Sequence, residues 1–241
     1  MPELPEVEIT ARRLDAALRG ATIESAQAPG INALKTFDPP LDALRGAEIT
    51  GVRRRGKLLL IDFEGDLALL MHLMSAGRLQ LYAKRASLRD RTARVLLRLP
   101  GDRELRLREF GSKQAAWVKL LTPEGLQDED SLATLGPEAW PDPPALHDLL
   151  AQPRPLHSLL RDCTISELER VIEHYEHHVA LPLPEKFPKP TRVHAHQGEP
   201  CPRCETVLEA VFFEDYVMTY CPYCQTEGRV LKDRRLSRLL K

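Results

Sequence analysis

What this chain lacks narrows it before any motif is read. No stretch of its 241 residues approaches the roughly 18 consecutive apolar residues of a transmembrane helix. The N-terminus has no charged-then-apolar signal pattern, so no membrane association is expected and the cytoplasm is the expected compartment. Net charge is almost absent: 34 Lys and Arg against 35 Asp and Glu leave −1 with histidines neutral, which excludes a uniformly basic nucleic-acid coat. Any grip on phosphates must then come from segregated charge. Internal repeats and low-complexity tracts are missing. Cysteine is scarce, and four of the five fall in two Cys-x-x-Cys pairs, with Cys163 apart. Without a secretion signal, that spacing favours a metal over disulfides.

The length allows two domains with their own cores. Val7, Ala11, Leu14 and Leu18 repeat at helical spacing, with Pro5 near the start and Gly20 past the end, and predict a helix over 5–20. From Ile49 to Leu121 the texture is that of strands: 58–63, 67–73, 78–82, 92–99, 104–108 and 116–121, with a hairpin turn at Pro100-Gly101-Asp102. The simplest packing is an antiparallel sandwich with the helix against it. The Pro-rich acidic stretch 128–144 reads as a domain boundary. Helices are expected over 144–150 and 156–162, and a third begins at the capping-box pattern Thr164-Ile165-Ser166-Glu167 with Ile165, Leu168, Val171, Ile172 and Tyr175 as its apolar face. Four prolines make 181–190 a linker. The fold class is therefore α+β: an N-terminal β-sandwich with flanking helix over 1–130, a small helical domain over 131–195, a β-hairpin finger over 196–225 and a basic tail over 226–241.

Cys201, Cys204, Cys221 and Cys224 lie as two knuckles about a strand-like segment, 207–220, with an acidic turn at Glu214-Asp215. Four thiolates at this spacing suit one tetrahedral, structural Zn²⁺. A thioredoxin-type redox site would need one pair on a βαβ unit, not two flanking a hairpin. His174 and His178 share a helical face but have no carboxylate at ligand spacing, so an exposed polar face is expected. His72, in an apolar run, is expected to be packed or hydrogen-bonded. Basic clusters at Arg53, Arg54, Arg55 and Lys57, at Lys84, Arg85, Arg89, Arg91 and Arg94, and from Arg229 to Lys241 can displace counterions from phosphates or be solvated surface.

The octapeptide Met1-Pro2-Glu3-Leu4-Pro5-Glu6-Val7-Glu8 adds a reactive possibility. Removal of Met1 would leave a secondary α-amine with an ordinary pKa of about 8, able to attack a carbonyl-level carbon and form an iminium ion. Read without context, it is a proline-stiffened approach to a helix. Together with Arg55-Gly56-Lys57 before Leu58-Leu59-Leu60-Ile61 and the four-cysteine finger, it resembles the formamidopyrimidine-DNA glycosylase / endonuclease VIII family of bifunctional DNA glycosylases. The resemblance spans most of 1–162 and 198–225.

That resemblance implies Pro2 as nucleophile, Glu3 and Glu6 as proton carriers, and Lys57 as a phosphate contact that assists protonation. It implies base-excision repair of oxidised bases by a glycosylase with AP lyase activity. The partner would be double-stranded DNA with a damaged or abasic site, bound by a monomer. Extrusion of the nucleotide leaves a gap for wedge side chains. Leu107-Arg108-Glu109-Phe110-Gly111 resembles the void-filling loop, nominating Arg108 and Phe110, which otherwise read as a surface charge and a strand-end core residue. His72-Leu73-Met74-Ser75-Ala76-Gly77-Arg78-Leu79 resembles a second loop and nominates Met74 and Arg78, with the methionine one place early.

Two departures weigh on binding. The phosphate-gripping turn of the family's helix-two-turn-helix is absent after 155–162, with about thirty residues missing, and Tyr216 stands where the finger carries an arginine for δ-elimination. A purine-capping loop would fall in the shortened region, which leans the substrate towards oxidised pyrimidines or plain abasic sites. Two other readings remain: a non-catalytic DNA-binding relative that has lost part of its clamp, and a zinc-ribbon interaction module with no nucleic-acid role.

Overall fold

A computed structural model describes residues 2–30, 32–86, 90–110, 114–141, 155–213 and 216–231, with the side chains of 155–164, 213 and 216 left aside. The chain divides into two compact units, Met1–Phe187 and Pro188–Lys241.

In the first unit, helix α1 (Leu4–Leu18) precedes a short strand β1 (Ser25–Gln27), a 3₁₀ turn (Leu41–Leu44) and strands β2 (Ile49–Arg55), β3 (Leu58–Phe63), β4 (Ala68–His72), β5 (Gly77–Tyr82), β6 (Ala93–Arg98), β7 (Glu104–Glu109) and β8 (Trp117–Leu121). They form two antiparallel four-stranded sheets, β1-β6-β7-β5 and β2-β3-β4-β8. Both sheets and α1 share one core, with Leu59, Ile61, Leu69 and Val118 from one sheet meeting Leu79, Val95, Leu97, Leu105 and Leu107 from the other. The expected sandwich is what forms.

The unbroken apolar run of β3 has a simple cause. Leu59 and Ile61 face the sandwich core, while Leu58 and Leu60 face outward and are covered, with Leu70 and Leu121, by Leu126, Leu132 and Leu135. Two short helices, α2 (Pro123–Gln127) and α3 (Asp130–Ala133), supply the first two of those covers. A strand buried on both faces loses its alternation. The β6–β7 turn has both Gly101 and Asp102 at positive φ (75° and 64°), the conformation a two-residue hairpin demands.

Helix α4 (Pro155–His178) corrects the sequence expectation of two helices with a start at Thr164. It is continuous through Cys163 and Thr164. The Thr-x-x-Glu pattern is compatible with a helix interior, and no Gly or Pro between 156 and 178 stops propagation. Ile172 and Tyr175 are buried on it and Val179 just past its end, Tyr175 being packed against Phe187. Arg12 and Arg13 of α1 reach across to Glu176, at 2.6 Å to its carboxylate and 2.6 Å to its carbonyl oxygen respectively. His174 and His178 stack at 4.2 Å between ring centroids, the polar face expected of them. The expected helix over 144–150, the turn at 214–215 and residues 232–241 of the tail lie outside the described residues.

The second unit holds a hairpin, β9 (Glu209–Phe213) with β10 (Tyr216–Tyr220), and a short helix α5 (Pro222–Thr226). Its own small core is Cys201, Leu208 and Cys221, with Val193 and Cys204 against it. Among the described residues, no helix is long and apolar enough to cross a membrane.

Candidate active site and metal centre

Strand register decides which candidate residues meet. Leu58 pairs with His72, which brings the turn bearing Lys57 to the end of β4 where Met74 follows. Gly77 pairs with Glu109 and Arg78 with Arg108, so the two candidate wedge loops are neighbours.

At the start of α1, Pro2 is buried and Glu3 is exposed. Glu3 is the N-cap of α1, and its N–H donates to Glu6 Oε2 at 2.6 Å. That carboxylate satisfies one of the free amides of a helix N-terminus. Lys57 Nζ lies 2.5 Å from Glu3 Oε2. Both side chains remain part-exposed, so the pair is a reversible contact between a proton donor and a carboxylate beside Pro2 rather than a buried lock. Pro2, Glu3, Glu6 and Lys57 are thus brought to one place.

Lys57 occupies the β2–β3 turn because Gly56 adopts φ +57°, with Leu135 Cδ1 3.6 Å from where a Cβ would stand. Beside it opens a cavity of about 520 Å³, walled by Lys57, His72 and Trp117 on one side and by 134–139 on the other. His72 stacks on Trp117 with 6.0 Å between centroids. Its Nδ1 accepts the Met74 N–H at 2.8 Å, which leaves the ring proton on Nε2. Burial, and then the charge of Lys57, push its pKa below the ordinary histidine value. His72 is therefore a neutral imidazole beside the lysine, hydrogen-bonded as expected. Met74 itself turns at φ +51°.

The wedge candidates are folded in. Arg108 donates from Nε to the Thr92 hydroxyl at 2.9 Å and from Nη1 to the Tyr82 hydroxyl at 2.9 Å, and its guanidinium lies 4.6 Å from the Phe110 ring centre. Asp90, 3.7 Å from Arg108, is pushed up by burial but held lower overall by the Thr92 hydroxyl and amide and by Arg108. Arg78 donates to the carbonyl oxygens of Glu185, at 2.5 Å, and Gly77, at 2.7 Å. A carboxylate that sequence reasoning passed over anchors this loop. Glu109, 1% exposed, accepts the Ala115 N–H at 2.8 Å and the Ala116 N–H at 3.1 Å.

Among the described residues of the first two basic clusters, five arginines are paired within the molecule. Arg53 pairs with Asp62, Arg54 with Glu8 and Glu138, Arg55 with Glu138, Arg85 with Glu24 and Arg94 with Glu109. This segregated charge is internal cross-linking more than a phosphate-facing stripe.

In the second unit the four cysteine sulfurs lie within 4.8 Å of one another. The first knuckle turns at Glu205 (φ +61°), whose N–H donates to the Cys201 carbonyl at 2.9 Å. In the second, Cys221 caps α5 and its sulfur accepts the Cys224 N–H at 3.4 Å. Hydrogen bonds with Thr206 hold Cys204 down to about 6, and sharing a hydrogen bond with Cys204 pushes Cys224 up to about 12. Four thiols this close cannot all ionise without a cation among them. The arrangement can hold a tetrahedral metal ion with no open position.

Residues 1–112 match the family model for the formamidopyrimidine-DNA glycosylase N-terminal domain. A formamidopyrimidine-DNA glycosylase of Pediococcus pentosaceus is 27% identical over 282 aligned positions, covering 93% of this chain and 99% of the relative. That alignment is longer than the chain, so this chain lacks segments the relative has. One from Moorella thermoacetica is 37% identical over 172 positions, covering 67% of this chain and 60% of the relative. Among solved structures, the complex between Lactococcus lactis Fpg and DNA containing an abasic site superposes with TM-score 0.73 at 21% identity, over 93% of this chain and 99% of the other.

Proposed function

The chain belongs to the formamidopyrimidine-DNA glycosylase family, and from that premise we propose that it excises oxidised bases from double-stranded DNA and cuts the strand at the abasic site so formed. The observation that carries this reading is the 2.5 Å contact between Lys57 and Glu3 immediately beside Pro2.

After removal of Met1, the Pro2 nitrogen attacks C1′ and the glycosidic bond breaks, its electron pair leaving with the base. The Glu3 carboxylate takes the N–H proton of the attacking Pro2 amine and delivers it to the ring oxygen, the sugar opens, and the nitrogen lone pair so freed completes an iminium ion. The iminium draws electrons from C2′, whose proton leaves as the 3′ phosphate departs in β-elimination. Water then hydrolyses the iminium, restoring the Pro2 amine and releasing an unsaturated aldehyde end. Lys57 serves as the phosphate contact and proton source, and Glu6, tied to the Glu3 amide, holds the helix start in place. Arg108 and Phe110, with Met74 and Arg78 on the neighbouring loop, take the space of the extruded nucleotide.

The finger's ion is assigned as one structural Zn²⁺. Zn–S bonds of about 2.3 Å require sulfur–sulfur edges of about 3.8 Å. The four sulfurs, with 3.4 Å between those of Cys204 and Cys221 and all within 4.8 Å, bracket that value.

Borohydride reduction on abasic-site duplex is the test, because every lesion class of the family passes through that sugar. A covalent adduct is expected with the wild type and none with Pro2→Gly. Absence of adduct from folded, metal-loaded wild type overturns catalysis and leaves the second reading, a DNA-binding relative. The uninterrupted α4 and the internally paired arginines favour that second reading. The four-part division at 130, 195 and 225 is likewise proposed as the functional partition, with the helical part shortened.

A further inference from the structure

The segment 135–140 carries no reactive group of the mechanism, yet it clasps the turn that does. Glu138 Oε1 accepts the Gly56 N–H at 2.7 Å and Arg55 Nη1 at 2.9 Å, while its Oε2 accepts Arg54 Nη1 at 2.7 Å. Two backbone carbonyls complete the clasp: Trp140 takes Arg54 Nη2 at 3.2 Å and Gly136 takes Arg55 Nη2 at 2.9 Å. Arg54, with only 6% of its side chain exposed, continues to Glu8 Oε2 at 2.5 Å. Glu8 lies on α1, whose first residues carry Glu3 and follow Pro2. One buried guanidinium therefore joins the helix that presents the nucleophile to the turn that presents Lys57.

From this geometry we infer that Glu138 is a positioning residue for the Lys57–Glu3–Pro2 constellation, acting through the Gly56 amide and Arg54. The catalytic part of this inference rests on the reading in the preceding subsection. Gly56 at φ +57° has no side chain to wedge it in place, so the Lys57 Cα is set by hydrogen bonds to its neighbours. A displacement of about 1 Å at a reacting group can cost up to a hundredfold in rate. Burial tends to raise the pKa of Glu138, but the bonds from Arg54, Arg55 and Gly56 more than offset it, so the carboxylate is charged throughout the neutral range.

The test compares Glu138→Gln, Glu138→Ala and the exposed control Asp42→Asn in full-length, metal-loaded protein. Single-turnover borohydride trapping on abasic duplex gives a rate constant independent of the fraction active, and the duplex concentration at half-maximal rate is read separately. The ¹³C shift of reductively methylated Lys57, assigned by comparison with Lys57→Arg, reports the Lys57–Glu3 contact without DNA. Expected are a fall of about tenfold or more in the rate constant for Glu138→Ala, a smaller fall for the isosteric Glu138→Gln, half-saturating duplex within twofold, and a displaced Lys57 methyl signal in both variants. Unchanged rate constants in the folded variants overturn the inference, as does an effect confined to half-saturating duplex. Should the wild type trap nothing, the glycosylase reading falls, and the Lys57 methyl signal still decides whether Glu138 positions the lysine.

Discussion

At the scale of single residues, two positions make sharp tests. Gly77 opens β5 directly behind the Met74 turn, and a Cβ there would sit 2.3 Å from the Leu73 carbonyl oxygen and 3.0 Å from Ala116 Cβ. Gly77→Ala is expected to cost about 1–3 kcal/mol of stability by urea titration, because backbone cannot give way as a side chain can. His72 is the second. Its pKa is lowered on folding, so just below its ordinary value the unfolded chain binds more protons and stability must rise with pH. Acidification from about pH 7 to 5.5 should lower the thermal midpoint, and His72→Gln should flatten part of that slope; His174, also lowered, acts in the same direction. An equally steep slope in the variant would show that His72 is not charged on unfolding. Pro2, Glu3, Lys57 and Arg108 were nominated by motifs that resemble a known family's, and the cysteines by their own spacing; the structure brings Lys57 to Glu3 and the four sulfurs together. Glu138 and Glu109 were not legible in the sequence, since a carboxylate that bonds distant backbone amides leaves no local pattern.

At the scale of elements, alternation and its absence made the strands readable. β3 matched its expected bounds because a four-residue apolar run closed by Gly65 is too short for a helix and suits a strand covered on both faces. The segment 128–144 looked like a bare boundary, since its prolines destroy any period; in the structure it carries α2's neighbour α3 and the clasp on Arg54 and Gly56. Helix α4 misled in the opposite sense, because a capping pattern is permissive rather than obligatory. Its docking on the sandwich core uses Tyr175 and Val171, with Val179 just past its end, and Ile172 is buried beside them in sequence. Ile172→Ala should therefore destabilise by about 2–4 kcal/mol, measured by denaturant unfolding, through the cavity it leaves. If stability is unchanged, α4 is not held by that face.

At the scale of the whole molecule, the two units draw on unlike resources. Met1–Phe187 rests on an extensive shared core of two sheets and two helices. Among the described residues, the apolar cluster of Pro188–Lys241 is built on Cys201, Leu208 and Cys221 alone, and two of those three belong to the four-cysteine group. A chelator strong enough to strip a tetrathiolate ion should abolish amide-exchange protection in β9 and β10 while leaving β3, β4 and β7 protected; loss of protection throughout would mean that the units fold as one. That small core also changes which variable governs the finger. Each tenfold change in free metal ion shifts the folded balance of a site of this kind by about 1.4 kcal/mol once the site is near saturation, comparable to removing a buried methyl or two. With an ion held by the four cysteines, the hairpin between the knuckles is set by mass action, and its stability becomes a property of the solution's free-ion concentration as much as of the residues that surround it.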